Sequence, residues 1–73
     1  MVMQRSSSIY IVTGSLTTVR AVPFRLGSIL RVLHAGEYVE VEEVLERPRN
    51  WARVVGGGYI RMKHLALAHE AAP

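Results

Sequence analysis

The chain has 73 residues, no cysteine and a formal net charge of +3, from nine Lys and Arg against six acids. This length predicts one small domain of modest burial, and the lack of cysteine excludes disulfides and thiolate metal sites. No apolar run approaches the roughly 20 residues that cross a bilayer, and the N-terminus lacks the features of a secretory signal. We therefore expect no membrane anchor.

The N-terminal part of the chain predicts a tail and two short strands. Residues 1–8 are polar and rich in serine, and we expect a flexible tail. Residues 10–13 and 16–20 are rich in β-branched and aromatic side chains, which favour strands. Pro23 cannot donate a hydrogen bond to a β-ladder, so the second strand ends before it.

Residues 24–35 carry a pattern that fits two structures. Gly36 stands where a glycine often follows a helix, whereas Gly27 and Ser28 disfavour a stable helix. By local pattern alone a helix is slightly favoured, because four apolar side chains follow helical spacing: Leu26, Ile29, Leu30 and Leu33.

A half-buried strand is predicted over residues 38–45. Val39 and Val41 alternate there with Glu40 and Glu42. Two consecutive apolar residues then break the alternation, which predicts a bulge near the end of the strand. Residues 46–50 contain a proline and predict a loop.

Three consecutive glycines, residues 56–58, predict a hairpin between strands at 51–55 and 59–63. A three-glycine loop pairs Val55 with Tyr59, and pairs Arg53 with Arg61 and Val54 with Ile60. That register puts Ala52, Val54, Ile60 and Met62 on one face, and Trp51, Arg53, Val55, Tyr59 and Arg61 on the other. A last strand includes Leu65 and Leu67, and residues 69–73 form a second flexible tail. The predicted domain spans residues 9–68.

Four landmarks in this order resemble bacterial Src-homology-3-like (SH3-like) domains. Leu16-Thr-Thr-Val19-Arg20-Ala-Val-Pro23 resembles their L-N-V-R-x-G-P opening, with Thr18 and Val22 in place of the family's Asn and Gly. The other three landmarks are Ile29-Leu30-Arg-Val-Leu33-His-Ala-Gly36-Glu-Tyr-Val39-Glu-Val41, Trp51-Ala-Arg-Val54, and Gly58-Tyr59-Ile60-Arg-Met-Lys-His-Leu65. Over residues 10–67 the resemblance implies an all-β small SH3-like barrel of five to seven short antiparallel strands. It also implies a loop at 24–28 and a strand at 29–33, in place of a helix.

The residue types that carry catalysis are present without the required spacing. His34, His64 and His69 form no metal-ligand pair, and no Ser–His–acid set emerges. Five of the six acids lie within residues 37–46, where nothing indicates the kind of pocket that raises a carboxyl pKa. We expect no enzyme activity, no metal and no cofactor.

The distribution of charge supports two interpretations. In the first, Glu40 and Glu42 pair with Arg53 or Arg61 across neighbouring strands. In the second, arginines and aromatic side chains form a ligand or partner surface, because these types are enriched at interface hot spots and also stack on nucleic-acid bases. The candidate residues for that surface are Trp51, Tyr59, Arg49, Arg53 and Arg61.

These observations predict a non-catalytic binding or assembly module, a small structural component of a larger bacterial or phage complex. Its expected partner is a protein or a second copy of the chain, and its expected location is the cytoplasm or a virion. The resemblance implies cell-wall (peptidoglycan) binding as an alternative. A basic nucleic-acid-binding barrel is a further alternative, suggested by the net positive charge.

Overall fold

The computed structural model describes residues 7–70, with side chains through residue 68. Within that range the chain is all-β, as predicted, and forms a single open sheet of seven antiparallel strands, consistent with a small SH3-like barrel. The strands are β1 (Ser8–Val12), β2 (Leu16–Arg20), β3 (Ile29–His34), β4 (Tyr38–Val44), β5 (Trp51–Val54), β6 (Tyr59–Arg61) and β7 (Leu65–Glu70). One 3-10 turn, Met62–His64, separates β6 from β7.

The strand order is β3-β2-β6-β5-β4-β1-β7, so β3 and β7 are the two edges. β1 lies between β4 and β7, and Ser8 is opposite Glu70. Strand pairing thus reaches slightly beyond the predicted domain limits of 9 and 68. The remainder of the two predicted tails, residues 1–6 and 71–73, lies outside the described residues.

The segment at 24–35 is a loop followed by strand β3, as the resemblance implied, and the helix favoured by local pattern is wrong. Of the four apolar residues at helical spacing, only Leu33 is buried, whereas Leu26 is 87% exposed. The spacing therefore did not mark a buried face. Gly27 lies in a tight part of the loop, because a Cβ there would approach a methyl group of Val22 to 2.7 Å.

The core is a cluster of small aliphatic side chains from β1 to β6. Val39 and Val41 are buried, and the glutamates that alternate with them are exposed or half-buried, as predicted. The pairing of β4 with β5 is irregular between Val41 and Glu43, which places a bulge close to the predicted position. The full cluster is Val12, Val19, Leu33, Val39, Val41, Ala52, Val54 and Ile60.

The register of the glycine hairpin differs from the predicted one. The Gly57 N–H donates to the Val54 carbonyl at 3.0 Å, and the Val54 N–H donates to the Gly58 carbonyl at 2.9 Å. The loop therefore consists of Val55, Gly56 and Gly57 rather than the three glycines. The observed pairs are Trp51 with Arg61, Ala52 with Ile60, and Arg53 with Tyr59.

The assignment of side chains to the two faces of this hairpin is nevertheless correct. The observed register is displaced by two residues, and side chains alternate with a period of two, so each residue stays on its predicted face. Ala52, Val54 and Ile60 are fully buried in the core. Met62 packs against the same core from the 3-10 turn.

Candidate functional site

A row of four polar side chains crosses the sheet on the face opposite the aliphatic core. Arg20 on β2 pairs with Tyr59 on β6, which pairs with Arg53 on β5, which pairs with Glu43 on β4. Paired residues in neighbouring antiparallel strands point to the same side of the sheet. Tyr59 thus lies between two arginines, and the row ends in an acid.

Trp51 and Arg61 form the neighbouring pair on this face. The guanidinium carbon of Arg61 lies 5.2 Å from the centroid of the Trp51 ring, within the range of a cation–π contact. Trp51 is only 6% exposed and does not belong to the aliphatic core cluster. The indole is therefore covered and is not an open surface on which a ligand could stack.

Arg53 is held by acids of β4, in agreement with the cross-strand pairing predicted for Glu42. Its Nη2 lies 2.6 Å from an oxygen of Glu43, and its Nε lies 3.8 Å from Glu42. Glu40 does not follow the prediction, because it accepts a hydrogen bond from the Ser7 hydroxyl. Exposed pairs of this kind contribute about 0–1 kcal/mol each, so their main effect is to balance the charge of Arg53 locally.

A pocket of about 300 Å³ opens beside Trp51. Among the side chains described, those of residues 7–68, no carboxylate lines it and no cation of its lining forms an ion pair. We call this site the basic pocket. Its lining residues are Arg20, Arg25, Arg61, Lys63 and His64, together with Leu16, Thr17, Thr18 and Trp51.

The cations of the basic pocket come from separate parts of the chain. Arg20 ends β2 and donates from Nη1 to the Gly27 carbonyl at 2.8 Å, which fixes its guanidinium against the loop after β2. Arg25 belongs to that loop, and Arg61 ends β6. Lys63 lies in the 3-10 turn. The fold therefore gathers cations that are about 40 positions apart in sequence.

A second feature is a strip of exposed apolar side chains at the β3 side of the sheet, which we call the apolar edge. Residues 22–27 add a shallow depression of about 430 Å³ to it. Exposed apolar side chains that are grouped on one part of a protein mark an interaction site more often than scattered ones do. The apolar edge consists of Val22, Phe24, Leu26, Ile29, Leu30 and Val32.

The five residues predicted as a ligand or partner surface fall into three places. Trp51 and Arg61 line the basic pocket. Tyr59 and Arg53 lie in the neighbouring row across the sheet. Arg49 is exposed in the loop between β4 and β5 and lines none of these features.

Sequence reasoning missed Arg20, Arg25 and Lys63 in the pocket, and it missed the apolar edge. For Arg20, Arg25 and the apolar edge, the signal was a long segment, residues 15–36, with several cations and no acid, whereas Lys63 lies outside that segment. The apolar residues of that segment were interpreted as a helix face. Once Ile29–His34 is assigned as a strand, its apolar residues exceed what one buried face needs.

The surroundings of Glu37 lower the pKa of its carboxyl. Its Oε2 accepts a hydrogen bond from the His34 backbone N–H at 2.6 Å, and this bond lowers the pKa of Glu37 below its ordinary value. The His34 ring, 3.3 Å away, adds a smaller lowering. Glu37 is exposed and lies apart from the basic pocket, so we assign it a local structural role.

Residues 7–70 contain no cluster of three or more His, Asp or Glu side chains arranged to hold a metal ion. They also contain no helix with the length and apolarity needed to cross a bilayer. Comparison with protein-family models, with curated proteins and with solved structures gave no match to this chain. The basic pocket and the apolar edge are therefore the structural features that bear on function.

Proposed function

We propose that this chain is a non-catalytic assembly module that binds a partner protein by adding a strand of that partner to β3. The observation that carries the proposal is the apolar edge, because exposed apolar side chains coincide there with a strand edge that pairs with no further strand among residues 7–70. Extended segments bind such edges through main-chain hydrogen bonds, and side-chain pockets supply specificity.

The β3 edge carries few of the features that protect sheet edges. Proteins commonly shield edge strands with charged side chains, prolines or covering segments. β3 runs for six residues, contains no proline, and carries Arg31 as its only Lys, Arg or acid. On β7, the opposite edge, Leu67 is the exposed large apolar side chain among those described. The apolar surface is therefore concentrated on one edge.

Charge around the apolar edge indicates the chemistry of the partner. Residues 15–36 contain Arg20, Arg25 and Arg31 and no acid. Two copies joined at this edge would bring these cations together, and the nearest carboxylate along the chain, Glu37, lies past the end of β3 and contacts His34. The excess of positive charge disfavours self-association. The partner that fits is a different protein with an extended apolar segment flanked by acidic residues.

The resemblance of residues 10–67 to bacterial SH3-like domains supports placing this module in a larger bacterial or phage assembly. The cell-wall alternative would depend on an open aromatic groove around Trp51. Because Arg61 covers that indole, the geometry favours the apolar edge instead.

Site-specific photo-crosslinking in the native host tests the proposal. A photoreactive phenylalanine analogue at Leu26, which is 87% exposed, should yield a discrete adduct with a second polypeptide. The same analogue at exposed Arg49, outside the apolar edge, should not. Val32→Lys should abolish the adduct by placing a charge on the edge, whereas Val32→Thr, which keeps the β-branch, should retain most of it.

Three outcomes would count against the proposal. Equal labelling from positions 26 and 49 would show non-specific contact, and an adduct unaffected by Val32→Lys would place the partner elsewhere. An adduct between two copies of the chain would replace the heterologous partner with a homo-oligomer. Sedimentation equilibrium of the purified protein, monomeric under the proposal, provides an independent check of the last outcome.

A further inference from the structure

We propose that the basic pocket binds the phosphate group of a small phosphorylated molecule. This site differs in its chemistry from the apolar edge, although Arg25 borders both, and it does not depend on the assembly function. The charge of the pocket, its size and the fixed position of two arginines support this assignment.

The charge of the pocket is uncompensated. Arg20, Arg25, Arg61 and Lys63 line one concavity, and no carboxylate contributes to it. Like charges that face a shared cleft raise the electrostatic potential inside it and concentrate anions there. Three of the four are arginines, whose planar groups match the oxygens of phosphate and bind them through paired, charge-assisted hydrogen bonds.

Two of these guanidiniums are already held in place. Arg20 is fixed by its bond to the Gly27 carbonyl, and Arg61 lies over the ring of Trp51. Ordered donors lose less conformational entropy when a ligand binds. The Thr18 side chain, also in the lining, adds a hydroxyl that can donate to a phosphate oxygen.

The volume of about 300 Å³ lies at the lower limit of small-molecule sites, which run from about 300 to 1,000 Å³. A pocket of this size accommodates a phosphate with part of the group that carries it. The ligand class is therefore a compact phosphate ester or diphosphate.

The surroundings disfavour a nucleic-acid strand. A polyanion that left the pocket along the row of Tyr59 and Arg53 would meet Glu42 and Glu43 on β4. Proteins that bind single strands also stack bases on accessible aromatic rings, and Trp51 is covered. The cations form one cluster rather than a continuous track.

The test is a titration with inorganic pyrophosphate, followed by the fluorescence of Trp51, the chain's single tryptophan, and by calorimetry. We expect saturable binding at one site. Lys63→Gln and Arg25→Gln should each weaken it about tenfold, because each removes one charge-assisted contact. Arg31→Gln makes the same change of charge outside the pocket lining and should leave the dissociation constant within about twofold.

Absence of saturable pyrophosphate binding in the wild-type protein would overturn the inference. Equal loss of affinity in all three variants would also overturn it, because it would indicate general charge attraction rather than a site. Affinity for oligothymidylates that exceeds that for pyrophosphate and rises with length would replace it with a nucleic-acid site. Lys63→Gln, which removes a cation of the basic pocket and lies outside the apolar edge, should leave the crosslinked adduct at position 26 unchanged. The two proposals therefore fail separately.

Discussion

Replacing Gly58 with alanine should destabilise the protein strongly. Gly58 has φ +97°, and a Cβ there would lie 2.4 Å from Cγ1 of Val19 and 3.1 Å from Cδ1 of Leu30. Val19 is fully buried, so it cannot swing into solvent to make room. The alanine methyl group would therefore meet both an unfavourable backbone conformation and a filled core.

The expected loss has two parts. Left-handed backbone costs an L-residue about 1–2 kcal/mol, and overpacking a core costs about 1–3 kcal/mol. Their sum, about 2–5 kcal/mol, is a large share of the roughly 4–11 kcal/mol expected for 73 residues. Gly56→Ala is the matched control, because Gly56 has φ +94° and no atom within 4 Å of its Cβ position. It should lose only the backbone part.

Urea unfolding, followed by far-UV circular dichroism and by Trp51 fluorescence, measures both variants. The free energy of unfolding of Gly58→Ala should fall about 1–3 kcal/mol further than that of Gly56→Ala. In the Val19→Ala background the Gly58→Ala change should cost less, because the clashing methyl is gone. If Gly56→Ala and Gly58→Ala agreed within about 0.5 kcal/mol, the packing argument would be refuted.

Two further predictions concern the core and the exposed carboxylate. Ile60→Ala, at a fully buried site, should lower the free energy of unfolding in urea by about 2–5 kcal/mol. Ile29→Ala, at a site that is 54% exposed, should lower it by about 0.5 kcal/mol or less. Equal losses in the two variants would contradict the assigned core. The pKa of Glu37, measured by carboxyl NMR, should lie below its ordinary value and stay lowered in His34→Ala, because its largest cause is a backbone N–H that alanine keeps. Because the pKa of Glu37 is lower in the folded than in the unfolded protein, its ionised carboxylate stabilises the fold at pH values above the unfolded pKa. This stabilisation is lost as the pH falls through the folded pKa. If the pKa returned to its ordinary value in His34→Ala, the lowering would be assigned to the His34 ring instead.

The faces of the glycine hairpin could be predicted from the sequence, and its register could not. The pattern of buried side chains excludes a shift of the strand register by one residue but permits a shift by two. The predicted pair of Val55 with Tyr59 and the observed pair of Arg53 with Tyr59 therefore fit the burial pattern equally well. What decides between them is the turn. Gly58 is needed beyond the turn, where the space beside Val19 is too small for a Cβ.

At residues 24–35 the local pattern favoured the wrong secondary structure. Helical spacing favours a helix wherever one face is buried, but here most of the apolar side chains remain exposed. Periodicity cannot tell apolar side chains that are buried from those that stay exposed. Only the spacing of landmarks along the whole chain indicated the loop and strand that the structure contains.

The candidate site was predictable in part. Trp51 and Arg61 were selected because they share a face of a recognisable hairpin, and the structure brings them into contact. Arg20 and Arg25 join them only because β2 lies beside β6, a pairing that no local pattern specifies. Residues contributed by non-consecutive strands are the part of a site that a single sequence conceals.

The pairing of β1 with β7 has a mechanical consequence. Because Ser8 lies opposite Glu70, the two ends of the folded region leave the sheet from the same end of one antiparallel ladder. A force that pulls these ends apart loads the hydrogen bonds of that ladder one after another, as in a zipper, rather than all together in shear. Tension transmitted through the chain would therefore peel β7 away while the β2–β6 region beside the basic pocket stays intact.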